Sequence, residues 1–254
     1  MSQMLIAGLW GLVGGLALVI GALAGVFLTL PRRLIAGIMA AGAGVLIAAV
    51  AFDLMEEAFA RGGLRSTALG FVGGAVAYTI ANMVVSRRGA RHRKRSGADP
   101  DRRPAAAGAA NAGLALAIGA LLDGVPESLV IGASLIGGEG VSVMTVVAVF
   151  LSNLPEGLSS AAGMKQAGHR RRSILLLWSG IALASGVAAM GGNGLLAGAS
   201  PRTIAAVTAI AAGAILAMLV DTMIPEATAE THDASGLIAA GGFLAAFVLS
   251  KAGG

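Results

Sequence analysis

The chain contains no cysteine, which excludes disulfides, thiolate metal sites and thiol chemistry together. Any metal it handles must be met by oxygen or by histidine. Charge is scarce as well: 12% of its 254 residues are charged, whereas soluble domains carry about a quarter. What remains is 56% hydrophobic with a mean hydropathy of +0.84, so water is not its main solvent. Aromatics make up 4% and glycine contributes 39 residues. That balance suits helices that approach closely through small side chains, because lipid supplies no hydrophobic push between them.

A sequence pI near 10.7 would fit a nucleic-acid binder, but the basic residues fall in short segments between apolar runs and not along a folded face. They read as topology signals, and no nucleic-acid partner is expected. The N-terminal run has no basic n-region, is longer than a signal-peptide core, and carries its positive flank, Arg32 and Arg33, on the far side. It is expected to be a first membrane span.

With about 20 apolar residues per span, the sequence predicts an all-α polytopic membrane protein with eight transmembrane helices near 6–30, 34–59, 64–85, 111–135, 141–166, 173–198, 201–226 and 233–251. Three helices fall in residues 1–85, a basic flexible loop in 86–110, and five helices in 111–254, which holds the candidate site. With the N-terminus outside, 14 of the 18 Lys and Arg residues lie in inner loops, as the positive-inside rule requires. Both termini are then expected outside the cell (inner) membrane, with loop 86–110 cytoplasmic and facing the lipid headgroups.

An ionisable residue within a span costs about 2.5–3.5 kcal/mol on insertion scales, so its presence demands a reason. Asp123 and Glu127 fall near the middle of the fourth predicted helix and Glu156 near the middle of the fifth. Asp53 and Glu57 close the second helix, and Asp221 and Glu226 the seventh; Glu56, Glu230 and Asp233 read as equally at home in solvated ends. Lys, Arg and His occur only at span ends, so the midplane acids have no basic side chain to pair with. A bound cation or a proton must neutralise them.

Spacing sharpens this reading. Asp123 and Glu127 are four residues apart and share a helix face, about 5–6 Å apart at Cβ; Ser152 and Glu156 repeat the interval one helix later. Pro126 and Pro155 each precede the Glu, and each is expected to kink its helix and free a carbonyl, that of Leu122 or of Leu151. The segments DGVPES and SNLPEG, with their prolines 29 residues apart, form the paired, Pro-interrupted pattern that points to a transporter's substrate site. Two kinked helices with protonated acids would be the purely structural alternative.

At these residues the chain resembles the ZIP family of divalent metal transporters, whose fourth and fifth helices carry H-N-x-P-E-G-type motifs. Asp53-Leu-Met-Glu-Glu57-Ala resembles the family's H-L-x-P-E-A in the second helix, and Asp221-Thr-Met-Ile-Pro225-Glu226 its H-E-x-I-P-E in the seventh. The resemblance covers nearly the whole chain and implies a ZIP-like bundle with metal ligands at Asp123, Glu127 and Glu156, joined by Ser152, Asn153, Asp53, Glu57, Asp221 and Glu226. It also implies import of a divalent metal substrate such as Zn, Mn or Fe toward the cytosol, movement of a bundle carrying the fourth and fifth helices, no organic cofactor, and homodimers. Where the family usually has histidine this chain has Asp53, Asp123 and Asp221; Ser152-Asn153 opens the fifth-helix motif, and Gly124 stands for the usual Asn. All-oxygen sites suit Mn²⁺, Mg²⁺ or Ca²⁺, and imidazole suits Zn²⁺, Cu²⁺ or Ni²⁺, so loss of imidazole leaves the cargo open. Other readings are a membrane metal sensor, a proton or cation channel, and an intramembrane protease; the last lacks a G-x-G-D context and an H-E-x-x-H motif.

Overall fold

The computed structural model describes residues 2–87, 106–136, 140–231 and 233–252, and among them the chain forms helices and no strand. Helix α1 spans Gln3–Phe27, α2 Arg32–Ala49, α3 Met55–Val85, α4 Ala106–Ser134, α5 Val143–Gln166, α6 Arg171–Leu196, α7 Pro201–Met218, α8 Ile224–Thr231 and α9 Ser235–Ala252. Local chemistry sets several of the starts. Ser2, Ser142 and Ser200 each accept a hydrogen bond from the backbone N–H three residues on, and Pro201 occupies a first-turn position where its missing N–H costs nothing.

Five helical stretches among the described residues are long and apolar enough to cross a membrane: Gln3–Phe27, Arg32–Val85, Ala117–Ser134, Arg171–Leu196 and Pro201–Ala229, with a shorter apolar helix at Ser235–Lys251. These are the dimensions of a helical membrane protein. The Arg32–Val85 stretch is not straight. A π-helical turn, Val50–Leu54, joins α2 to α3, and within α3 Gly63 adopts φ 70° and ψ 175°. That left-handed φ is open to glycine at little steric cost. A second π-helical turn, Leu219–Met223, joins α7 to α8.

The π-helical turns lie outside the two proline-bearing helices. Helices α4 and α5 each run as a single element through Pro126 and Pro155, while the π-helical turns carry Asp53 and Asp221. Helix α4 also begins at Ala106, inside the stretch read as loop 86–110; its Ala-rich start has the highest intrinsic helix propensity. The rest of that basic stretch, residues 88–105, lies outside the described residues.

Glycine decides how the helices meet. On α1, Gly21 abuts the Leu154 carbonyl of α5, and Gly157 of α5 abuts the Leu18 carbonyl of α1; on α4, Gly132 abuts the Ala189 carbonyl of α6. Gly44 of α2 meets Ala239 of α9, and Gly242 of α9 meets Ala41 of α2. Gly74 of α3 meets Ile210 of α7, and Gly213 of α7 meets Phe71 of α3. A Cβ at any of these positions would collide with backbone, the small-residue approach that lipid-borne helices depend on. Contacts advance in the same direction along both helices of the α1/α5, α2/α9 and α3/α7 pairs. Helix α1 thus packs on α5 as α6 packs on α4, and α2 on α9 as α7 on α3. The helices before α4 and those after α5 repeat one packing scheme, with α4 and α5 exchanging roles.

Side-chain contacts identify the two ends of the bundle. Arg32 Nη2 donates to Gln166 Oε1 at 3.5 Å and Arg171 lies 5.6 Å over the Phe27 ring, which puts the α1–α2 and α5–α6 turns together. At the other end Ser66 Oγ donates to the Arg202 carbonyl (3.4 Å) and Arg61 Nη2 to the Ile136 carbonyl (3.5 Å).

Gly213→Leu is expected to lower the thermal midpoint of the purified protein, corresponding to about 1–3 kcal/mol of overpacking. Gly73→Ala, whose new Cβ meets nothing within 4 Å, should leave the midpoint unchanged or raise it. Thermal unfolding of both variants in one detergent checks the contrast.

Candidate functional site

Apolar packing carries the acids into the bundle. On α4, Ala120 packs with Leu18 and Trp178, Val130 with Met39 and Met218, and Ile131 with Val146 and Val149. Seating those residues drags the same helix face inward, and Asp123 and Glu127 end 1% exposed. On α5, Leu158 and Ala161 do the same for Ser152, Asn153 and Glu156, which are 1%, 3% and 4% exposed. Glu226 of α8 is the fourth buried carboxylate among the described residues, and no Lys, Arg or His among them is buried.

Hydroxyl groups from neighbouring helices meet two of these acids. Tyr78 of α3 donates its phenolic hydrogen to Asp123 Oδ1 at 2.7 Å, a short bond in a buried setting. Ser159 of α5 donates to Glu226 Oε1 at 3.2 Å. Each bond joins helices from the two different sets of pairs, α3 to α4 and α5 to α8. The polar residues beside Glu156 are spent on backbone: Ser152 Oγ donates to the Val149 carbonyl (2.9 Å) and Asn153 Nδ2 to the Gly14 carbonyl of α1 (3.1 Å). Ser128 Oγ likewise donates to the Gly124 carbonyl at 2.8 Å, one turn back on α4.

The remaining acids lie on the outskirts. Asp53 accepts a side-chain hydrogen bond from Ser250 of α9, beside Phe52, whose ring packs on Phe243 and Phe247 at 5.7 and 5.0 Å. Glu57 pairs with Arg61 one turn along its own helix at 3.1 Å. Asp221 is exposed and accepts from Asn82 Nδ2 of α3 at 3.1 Å. Among the described residues no three His, Asp or Glu side chains converge in a way that could hold a metal ion. The structure brings Asp123, Glu127, Ser152, Asn153, Glu156 and Glu226 into the bundle interior and leaves Asp53, Glu57 and Asp221 toward its margins.

Glu127 borders a cavity of ≈ 10 Å³ lined also by Thr145 of α5, Leu46 and Val50 of the second apolar stretch and Ile215 of α7. That volume holds about one water-sized particle. Thr145 is the only other polar side chain on its wall.

Tyr78, Ser159 and Thr145 escaped sequence reasoning. Tyr78 is the chain's single tyrosine, and a lone phenol amid an apolar run needs a partner when buried; that signal was readable, though its partner was not. Ser159 stands one turn after Glu156, on the same face.

Fold and site together define a helical membrane protein with carboxylates buried among apolar side chains. No family model matches the chain, and no curated protein matches it.

Tyr78→Phe is expected to cost about 1–3 kcal/mol, the penalty for leaving a buried carboxyl without its donor. Thr208→Val, which removes a buried hydroxyl that has no hydrogen-bond partner, should cost less or stabilise. Comparing the two midpoints with wild type separates a specific bond from general packing.

Proposed function

We propose that this protein is a divalent metal cation transporter of the ZIP type, moving Zn-, Fe- or Mn-like ions toward the cytosol through a carboxylate-rich midplane site. The observation that carries the reading is the burial of Asp123, Glu127 and Glu156 on two neighbouring helices, at 1%, 1% and 4% exposure, in an interior that includes no basic side chain among the described residues. Burial in apolar surroundings disfavours the charged form of a carboxylate, and a divalent cation meeting several acids at once would offset that cost. In this reading the chain crosses the membrane eight times, the crossings before and after Gly63 counting separately. Both termini face outward from the inner membrane, the basic loop 86–110 faces the cytoplasm, and the protein forms homodimers.

The separation of the acids is part of the reading. Asp123, Glu127 and Glu156 do not form a three-ligand group as they stand, so holding one ion requires new rotamers or a shift of α4 against α5. Asp123 is tied to α3 through Tyr78, and Glu226 to α5 through Ser159. An ion drawn to either carboxylate would pull on a bond between the two sets of helices. Cargo binding is thereby coupled to their relative movement, the differential contact that any ligand-driven change requires. Asp53, Glu57 and Asp221 are weakly exposed to exposed acids that would attract cations toward the mouths.

Purified protein reconstituted in liposomes should take up Mn²⁺ or Zn²⁺ down an imposed gradient. Glu127→Ala and Glu156→Ala should each cut uptake about tenfold or more while the protein still inserts and purifies. Wild-type uptake by both variants would remove the site. Proton flux without metal flux would instead support a channel, and metal binding without either flux a sensor.

Asp123→His should raise Zn²⁺ uptake relative to Mn²⁺, because it replaces a hard anionic donor with a softer neutral one. An unchanged ratio in a well-folded variant, measured in the same vesicles, would remove Asp123 from the ligand set.

A further inference from the structure

A second cavity lies at the end of the bundle where the α1–α2 turn meets the last turn of α5. Its volume is ≈ 480 Å³, within the range of small-molecule sites. The floor is apolar and closed: Gly25, Ile35 and Ala162 are buried, and Ile35 packs with Leu158 beneath it. Leu28 and Leu30 form an apolar wall. The rim is cationic, with Arg32 and Lys165 on it, and among the described residues no acidic side chain lines the cavity. Arg32 Nη2 donates to Gln166 Oε1 at 3.5 Å, both residues belonging to the lining. Arg33, Arg170 and Arg172 are exposed nearby in sequence, and Arg171 is held over Phe27.

An apolar slot with two cations at its mouth, at the end of membrane-spanning helices, has the polarity of a phospholipid carrying net negative charge. We propose that this cavity binds one anionic phospholipid. Its phosphate is held between Arg32 and Lys165, and its acyl chains run along Leu28, Leu30 and the floor. Charge complementarity selects the anionic class, since each basic group near a headgroup phosphate adds a favourable interaction. The depth of the apolar floor selects a lipid over a free anion, which would gain nothing from Ile35 or Ala162. The inference rests on the membrane character of the helices and is independent of the metal-transport reading.

The test is binding to the full-length protein in detergent, using phosphatidylglycerol, phosphatidylcholine with the same acyl chains, and inorganic phosphate as probes. Phosphatidylglycerol should raise the thermal midpoint and survive as a one-to-one adduct in native mass spectra, whereas phosphatidylcholine and phosphate should do neither. The double variant Arg32→Gln, Lys165→Gln should bind phosphatidylglycerol about thirtyfold more weakly, and Arg202→Gln, at the opposite end, should bind it as wild type does. Leu30→Trp fills the slot without changing its charge and should also lose the adduct. Three results would each overturn the proposal: equal binding of phosphatidylcholine, the same stabilisation by phosphate alone, or an undiminished adduct in the double variant. The comparison of the three probes on wild-type protein decides the matter even if a variant fails to fold.

Discussion

Carboxylates in an apolar interior dominate the physics of this protein. Asp123, Glu127, Glu156 and Glu226 are buried while every basic side chain among the described residues stays at least partly exposed. Such groups are tolerated only when something offsets the loss of water. Part of the offset is visible as hydroxyl donors, Tyr78 for Asp123 and Ser159 for Glu226. A neutral hydroxyl softens a buried charge without cancelling it, so these positions remain ones that a cation or a proton can occupy. These carboxyl groups are kept in the interior by the packing of Val130, Ile131, Leu158 and their neighbours.

That packing rests on glycine. The close pairs α1/α5, α2/α9 and α3/α7 each meet through reciprocal glycines that leave no room for a Cβ, and α4/α6 meets through Gly132. Backbones at that distance gain dispersion contacts in lipid, where hydrophobic association is missing. The same economy explains how a chain with so few aromatics forms a dense bundle. It also produces a repeat, since the helices before α4 and those after α5 are paired by the same rule. The π-helical turns at Val50–Leu54 and Leu219–Met223 occupy corresponding places in that repeat, and π-turns often accompany functional positions because they widen the helix locally.

Hydroxyl and amide side chains then tie the helices together in different ways. Asn153 fastens α5 to the backbone of α1, and Asn193 fastens α6 to the Gly132 carbonyl of α4 at 3.1 Å. Both bonds end on backbone and join helices of one set. Tyr78–Asp123 and Ser159–Glu226 end on carboxylates and join one set to the other. Bonds of the first kind end on neutral backbone carbonyls, whereas bonds of the second kind end on ionisable groups.

Much of the architecture was legible in the residues. Apolar runs of about 20 residues announced long membrane helices, and the i,i+4 spacing of Asp123 and Glu127 put both acids on one face of α4, where the structure buries both. These are local properties, written in hydropathy and helical period. Other features were not local. The prolines at 126 and 155 suggested kinks; the structure continues α4 and α5 through them as single elements and has its π-helical turns in other helices. Ser152 and Asn153 were singled out by motif, and the structure adds that they donate to the Val149 and Gly14 carbonyls. Tyr78 lies 45 residues from Asp123, and no periodicity links the two. Sequence alone determined the solvent, the helix class and the presence of acids that need a partner, because each follows from side-chain chemistry over one or two turns. Which hydroxyl meets which carboxylate, and which acids share an interior, was decided only when glycine contacts brought distant helices within hydrogen-bonding reach.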